Sequence, residues 1–231
     1  MKVKWLGVAC FLITGNHGLK IIMDPYEIDP RGNIKHAPVE ETADIVTVSH
    51  EHGDHNYTAG IQGRPEIIRG VGTHSVKGIE FSGVASFHDN VSGAQRGPNT
   101  IFCFTLDGVR VCHCADLGHT MDDNTLKAIG HVDVLIFPTG GPPQTIDLTD
   151  AVALWDKMKP GVVIPMHFRS PKLLFPKYGT EDLLKLRPDA ILTGKSEIEF
   201  TAGKIPSGQI MILEPALKKI PNCSFPRTVE T

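Results

Sequence analysis

The chain has 231 residues, of which 41% are hydrophobic and 21% charged, and a formal net charge of −3. This is the composition of an ordinary soluble globular protein with ample length for a buried core. It shows no Lys/Arg run of the kind that grips a phosphate backbone and no apolar stretch long enough to span a membrane. Neither a nucleic acid nor a membrane is therefore expected as a partner.

In chain order, residues 2–6 and 9–14 read as strands around a turn at Gly7. That turn, with no small-residue cleavage site after it, counts against a signal peptide. Gly15-Asn16-His17-Gly18 is a turn signal, Leu19 to Met23 returns as a third strand, and Asp24-Pro25 ends it. Residues 26–42 are polar and Pro/Gly-punctuated, a surface loop. Ala43 to Ser49 alternates and is β-branched, so it predicts a strand.

His50-Glu51-His52-Gly53-Asp54-His55 follows directly. In extended chain, side chains two apart share a face, which aims His50 and His52 at one point. Gly53 lets the backbone turn, so Asp54 and His55 reach a second point close by. Such a cluster would repel or desolvate itself without a cation, and it reads as two adjacent metal sites fed by one loop. A zincin helix needs a second His four residues after the first, and position 54 is Asp.

Tyr57 to Ile61 predicts a short helix and Glu66 to Arg69 a strand. His74 lies in a predicted loop over 71–75 with no strand end behind it, and reads as non-ligating. Gly78 to Phe87 alternates and delivers His88 just past its end. Residues 90–98 form a Gly/Ser/Asn-rich loop carrying Arg96, which could meet an anionic group of a substrate or tie the loop to a carbonyl. Thr100 to Leu106, Asp107-Gly108 and Val109 to Cys114 make a hairpin that delivers Asp116.

Cys112 and Cys114, with His113 between them, lack the second Cys pair that a thiolate site requires. The 5 cysteines read as reduced core thiols of a cytoplasmic protein. Asp122 to Gly130 predicts a helix and Val132 to Pro138 a buried strand. Thr149 reads as the cap of a helix with Val152, Trp155 and Met158 on its inward stripe. Gly161 to His167 is an apolar strand ending on a His, Thr180 opens another helix, and Gln209 to Leu213 is a late strand.

The pattern His-x-His-x-Asp-His resembles the metallo-β-lactamase superfamily. The resemblance runs from about residue 1 to 170 through Phe87-His88-Asp89, Arg96-Gly97, Asp116-Leu117-Gly118, Gly140-Gly141 and Ile164-Pro165-Met166-His167. Within the superfamily it is similar to the compact hydrolases that include the ascorbate-phosphate lactonase type. It implies one domain over 1–231 of the α/β class, an αββα four-layer sandwich with the site at one edge of two sheets.

The resemblance also implies two divalent metal ions, zinc first, with manganese, nickel or iron compatible. His50, His52 and His88 would hold one, and Asp54, His55 and His167 the other. Asp116 would bridge them, and Asp24 would support the ligand loop from behind. Ala115 stands where the family usually has Gly. The implied activity is hydrolysis of an ester, lactone or related bond of a small molecule by a hydroxide on the binuclear site, with Asp54 accepting its proton.

His52 stands where the flavodiiron branch carries Glu, which favours hydrolysis over oxygen chemistry. A phosphodiesterase, a di-iron oxidoreductase and a metal-stabilised binding protein remain open alternatives, as does a homo-oligomer. Specificity is expected in loops 26–42, 90–98, 141–148 and 168–179.

Overall fold

The computed structural model describes residues 1–29 and 31–216; Cys223, counted above among the thiols, lies outside them. Two sheets face each other. The first contains β1 (Lys2–Gly7), β2 (Cys10–Thr14), β3 (Lys20–Met23), β4 (Ile45–Val48) and β5 (Glu66–Arg69). The second begins with β6 (Gly72–Val76), β7 (Ile79–Phe87), β8 (Pro98–Leu106) and β9 (Val109–His113), and continues through β10 (Val134–Pro138) and β11 (Val162–Met166).

Two short strands, β12 (Ile191–Leu192) and β13 (Glu197–Glu199), and then β14 (Gln209–Ile212) complete the sheets. The orders are β13-β1-β2-β3-β4-β5 and β12-β14-β11-β10-β9-β8-β7-β6. Both sheets are mixed: β3, β4 and β5 run parallel, as do β9, β10, β11 and β14, while the hairpins are antiparallel.

Period-two alternation assigns the faces. Phe11, Ile13 and Met23 turn inward to meet Phe102, Phe104 and Val111 in the shared core, whereas Cys10, Leu12 and Ile22 belong to a second cluster on the other face of the first sheet. The α-helices among the described residues all follow β9: α1 (Asp123–Ile129), α2 (Leu148–Met158) and α3 (Thr180–Leu186). Ile129, Leu148, Ala151, Leu154, Trp155 and Leu183 anchor them in the main core. Trp155 meets Phe137 of β10 edge-on at 5.7 Å.

Among the described residues, the outer cover of the six-stranded sheet contains no α-helix. Tyr26, Ile34, Ala43, Ile61 and Leu173 pack on Leu6, Leu12, Ile22 and Val46 there. The expected sandwich of two sheets is present, and it consists of two mixed sheets with few helices, which among the described residues are gathered in the later part of the chain.

Four local readings are corrected. His74 lies in strand β6, paired with Phe81, and its Nε2 faces the carbonyl of Gly70 at 3.1 Å. β6 is an edge strand with no buried residue, so the burial pattern that marks a strand is missing. Asp147, not Thr149, caps α2: its carboxylate accepts the Thr149 N–H at 3.1 Å. The buried stripe of α2 runs through Leu148, Ala151, Leu154 and Trp155, with Val152 and Met158 at its margins. The helix expected over 57–61 is a single 3₁₀ turn, Thr58–Gly60.

Candidate metal centre

Strand ends position every member of the cluster. Asp24 follows β3, the 50–55 loop follows β4, His88 follows β7, Asp116 lies just past β9, and His167 follows β11. The first two come from one sheet and the last three from the other, so the cluster closes one end of the sandwich.

The backbone is shaped for this. Asp24, Ala115 and His167 have φ of 45°, 48° and 52°, in the left-handed region that side chains with a Cβ avoid. Each such residue costs on the order of 1–2 kcal/mol, a cost that the surrounding packing must offset. Ala115 thus holds the conformation for which Gly would be preferred. Gly118 permits the approach of the Asp116 loop to β7: a Cβ there would sit 2.4 Å from the backbone of His88 and Asp89. At Gly140 a Cβ would meet the His167 carbonyl at 2.1 Å.

The ligand candidates converge in two groups, within each of which the donor atoms lie within 4.8 Å of one another, and Asp24 makes a third such group with His50 and His55. One is His50, His52 and His88; the other is Asp54, His55, Asp116 and His167. His50 Nε2 lies 3.0 Å from His52 Nδ1. Asp116 Oδ2 is 3.0 Å from His88 Nε2, 3.2 Å from His55 Nε2 and 3.5 Å from His167 Nε2, so it stands between the groups. Asp54 Oδ2 is 3.7 Å from His55 Nε2 and 3.6 Å from His167 Nε2. All the ligand candidates read from the sequence are brought together, and His74 is outside both groups.

Behind the cluster, fully buried Asp24 accepts hydrogen bonds from the Ser49 N–H at 2.9 Å, the Ser49 hydroxyl at 2.5 Å and His55 Nδ1 at 2.8 Å. Because the Ser49 hydroxyl donates to Asp24, it accepts from His50 Nδ1, 2.9 Å away. One carboxylate therefore holds a proton on Nδ1 of both His50 and His55 and turns both Nε2 atoms toward the cluster. Ser49 is a residue the sequence reading missed; its only signal is adjacency to His50.

The electrostatics ask for a cation. Asp116 and Asp24 are buried; burial alone would raise their pKa values, but the surrounding histidines hold both below the usual carboxylate range. Burial likewise opposes ionisation of Asp54, and His55 and His167 overcome it. His55 is pushed well above the ordinary histidine value: burial works against its charge, but Asp116, Asp54 and Asp24 outweigh it. Burial draws His50 down to about 3 and lowers His52, leaving neutral imidazoles of the kind a metal binds.

Nε2 of His55, His88 and His167 and Oδ1 of Asp116 are buried without a hydrogen-bond partner. Orphaned donor atoms around ionised carboxylates fit a divalent cation. His88 carries one qualification: its Nδ1 accepts from Arg96 Nε at 3.1 Å. In the neutral ring the proton then sits on Nε2, and a cation there takes its place.

The thiolate alternative finds no support. Cys112 and Cys114 Sγ are 3.9 Å apart in the core, and His113 donates its Nε2–H to the Ala9 carbonyl at 2.9 Å. No cysteine joins a metal-capable group among the described residues. Cys10, Cys103, Cys112 and Cys114 are free and buried.

A cavity of about 620 Å³ opens on Asp54 and Gly53. All four loops expected to carry specificity line it: Glu27, Ile28, Asp29, Arg31, Asn33 and Ile34 from the first, then Arg96, Gln144 and Phe175. A second cavity of about 370 Å³ lies on the other side of His88, against Gln95, His119 and Thr145. Beyond Gly53, Asp54 and His88, only Arg96 among these residues was singled out in the sequence, since pocket-lining loop residues follow no local pattern.

This fold and this His/Asp cluster define a metal-dependent hydrolase of the metallo-β-lactamase superfamily. Residues 2–167 match the beta-lactamase superfamily domain family, and the chain belongs to it. A UPF0173 metal-dependent hydrolase of Archaeoglobus fulgidus is 30% identical over 200 residues, covering 74% of this chain and 84% of that protein. One from Carboxydothermus hydrogenoformans is 30% identical over 197 residues, covering 74% and 85%. The crystal structure of a metallo-β-lactamase superfamily protein from Thermotoga maritima, whose name proposes zinc-dependent hydrolysis, matches with a TM-score of 0.75 and 30% identity. That match covers 92% of this chain and 97% of the other. The chain is thus a member of the UPF0173 metal-dependent hydrolase group. Among the described residues no helix is long and apolar enough to cross a membrane.

Proposed function

We propose that the protein hydrolyses an ester, lactone or related bond of a small anionic molecule at a centre of two divalent metals, zinc in the first instance. The observation that carries this reading is the cavity that opens on Asp54 in front of the buried His/Asp cluster, with Arg96 on the same wall. His50, His52 and His88 would hold one ion and Asp54, His55 and His167 the other, with Asp116 between them and Asp24 orienting the ring nitrogens. Such ions, when bound, supply an activated water and polarise the bond under attack. The lactonase resemblance rests on sequence motifs alone, and the cavity supports a small anionic substrate.

The protein's own residues do the rest. Asp54 stays ionised among His55, His167 and the cavity, so it cannot store a proton at rest. It orients the attacking water and accepts its proton on Oδ2 as the bond breaks. Arg96 offers an anionic substrate its guanidinium, while Ile28, Ile34 and Phe175 give the cavity an apolar surface that accepts a carbon skeleton.

A panel of lactones, thioesters, carboxylic esters and phosphodiesters, tested on metal-reconstituted protein, checks the reading. Turnover of an ester or lactone, absent after chelation and restored by zinc, is expected. Turnover of phosphodiesters alone, or of nothing in the panel, overturns it.

A further inference from the structure

The loop after β7 is built around one carboxylate. Asp89 Oδ1 accepts the backbone N–H groups of Val91 at 2.9 Å and Gly93 at 2.7 Å; Oδ2 accepts those of Gln95 at 2.9 Å and Arg96 at 2.7 Å. Asp89 is buried, and the loop contributes little apolar core of its own: Val91 is 43% exposed. The strand ends are cross-tied, His88 N–H to the Gly97 carbonyl at 3.1 Å and Gly97 N–H to the Gly93 carbonyl at 3.0 Å. Ser92, Gly93 and Gly97 take φ of 57°, 81° and 88°, which wraps the backbone so that its N–H groups point inward. With hydrophobic packing largely absent, these four bonds are what fixes the loop.

The loop also divides the two cavities. Gln95 faces the smaller one and Arg96 the larger. Both consecutive N–H groups rest on the same oxygen of Asp89, which sets the direction in which each side chain leaves the backbone.

We propose that Asp89 is the positioning residue of the substrate cavity: it holds Arg96 against His88 and over the larger cavity, and so confers recognition of an anionic substrate group. This rests on the reading of Arg96 given above. A purely structural Asp89 would affect folding or metal content without acting through Arg96, and the two cases separate in a binding cycle.

The probe is inorganic phosphate, titrated calorimetrically into zinc-loaded full-length protein. The parent is compared with Asp89→Asn, Arg96→Ala and the double variant. Asn keeps one carbonyl oxygen and turns an N–H₂ toward two of the loop amides, which releases half of the wrap. Phosphate affinity is expected to fall about tenfold in each single variant, the size of one charge-assisted contact. The double variant should be no weaker than Arg96→Ala, and zinc content should be unchanged throughout.

Gly93→Ala provides a second route should Asp89→Asn fold poorly. A Cβ there meets Phe87 Cδ1 at 2.9 Å, which disturbs the loop at an N–H that Asp89 holds while leaving the Asp89 side chain itself unchanged. It should show the same loss, also absent in the Arg96→Ala background. Additive losses, a parent-like Asp89→Asn, or phosphate affinity indifferent to Arg96 would each overturn the proposal. Because no turnover is measured, a protein that hydrolyses nothing yet shows this coupling would sink the hydrolase reading and leave the Asp89 role standing.

Discussion

Asp24 shows how much one buried carboxylate arranges. Through Ser49 and directly, it holds the Nδ1 protons of His50 and His55, one from each ligand group. Asp24→Asn would put an amide donor or a weak acceptor where two donors now converge. The expected result is a 10–100-fold loss in zinc affinity, as for other partners of ligating histidines, measured by competition with a chromogenic chelator. Unchanged affinity would mean that backbone geometry alone fixes the rings. Asp54 is predicted to act on a different quantity. Asp54→Asn keeps the shape and one ligating oxygen but removes the charge that receives the proton. With both sites filled, kcat on any substrate found should fall by about 10²–10⁴. A filled variant that turns over like the parent would assign proton removal to the metals.

Loops and strand ends carry the consequences at the next scale. The Asp116 loop touches the end of β7 so closely that Gly118 has no room for a methyl group. Gly118→Ala must push apart the backbones that carry His88 and Asp116. It should cost at least 2 kcal/mol, roughly the size of an overpacking defect, and lower metal content, read by urea denaturation and metal analysis. A variant with full stability and full metal would show that the two strand ends can separate independently.

The loop over 26–42, which walls the cavity, is pinned differently. His36 is buried against Trp5, Tyr26 and Gly7, and both of its ring nitrogens lack a partner. Burial, with help from Lys172, pulls its pKa down to about 4 from the ordinary 6.5. The folded protein therefore binds fewer protons at His36 than the unfolded chain between those values. Its contribution to stability is full above about pH 6.5 and is lost as pH falls toward 4, by about 3 kcal/mol in all. His36→Leu should flatten that part of the stability–pH curve by close to one proton. A curve of unchanged slope would place the neutral-to-charged transition elsewhere.

For the whole molecule, the cluster joins the ends of two sheets, since Asp24 and the 50–55 loop come from one and His88, Asp116 and His167 from the other. A bound metal thus ties the sandwich together at an edge where the carboxylates of Asp24, Asp54 and Asp116 otherwise share the charge of His55. Chelation should lower Tm, and zinc should restore it. At free metal a thousand times Kd, the native state gains about 4 kcal/mol. Equal Tm values with and without metal would show that the metal binds the unfolded chain as well or does not bind.

Much of the site was legible in the linear sequence because metal ligation here follows local rules. The alternation of Ala43 to Ser49 gives a strand, its end gives His50 and His52 on one face, and Gly53 releases Asp54 and His55. The apolar runs before His88, Asp116 and His167 made their strand ends recognisable in the same way. Other features depend on contacts distant in sequence. β13 pairs its residues 197–199 with residues 2–4 of β1, and β12 joins β14 through two pairs; strands this short carry no usable alternation. The cover of the six-stranded sheet combines Tyr26 and Ile34 with Leu173, residues no local period links.

Ser49 and Asp89 read as ordinary polar residues until their hydrogen-bond partners are known. Glu27, Gln144 and Phe175 become neighbours only when separate loops meet over the cluster. The sequence by itself marked the His/Asp cluster through strand ends and local chemistry, and the class of fold through the resemblance those motifs carry, because such signals act over a few residues. Only the tertiary structure decided the cavity, the relay from Asp24 and the loop around Asp89, because these depend on where long-range strand pairing places the loops.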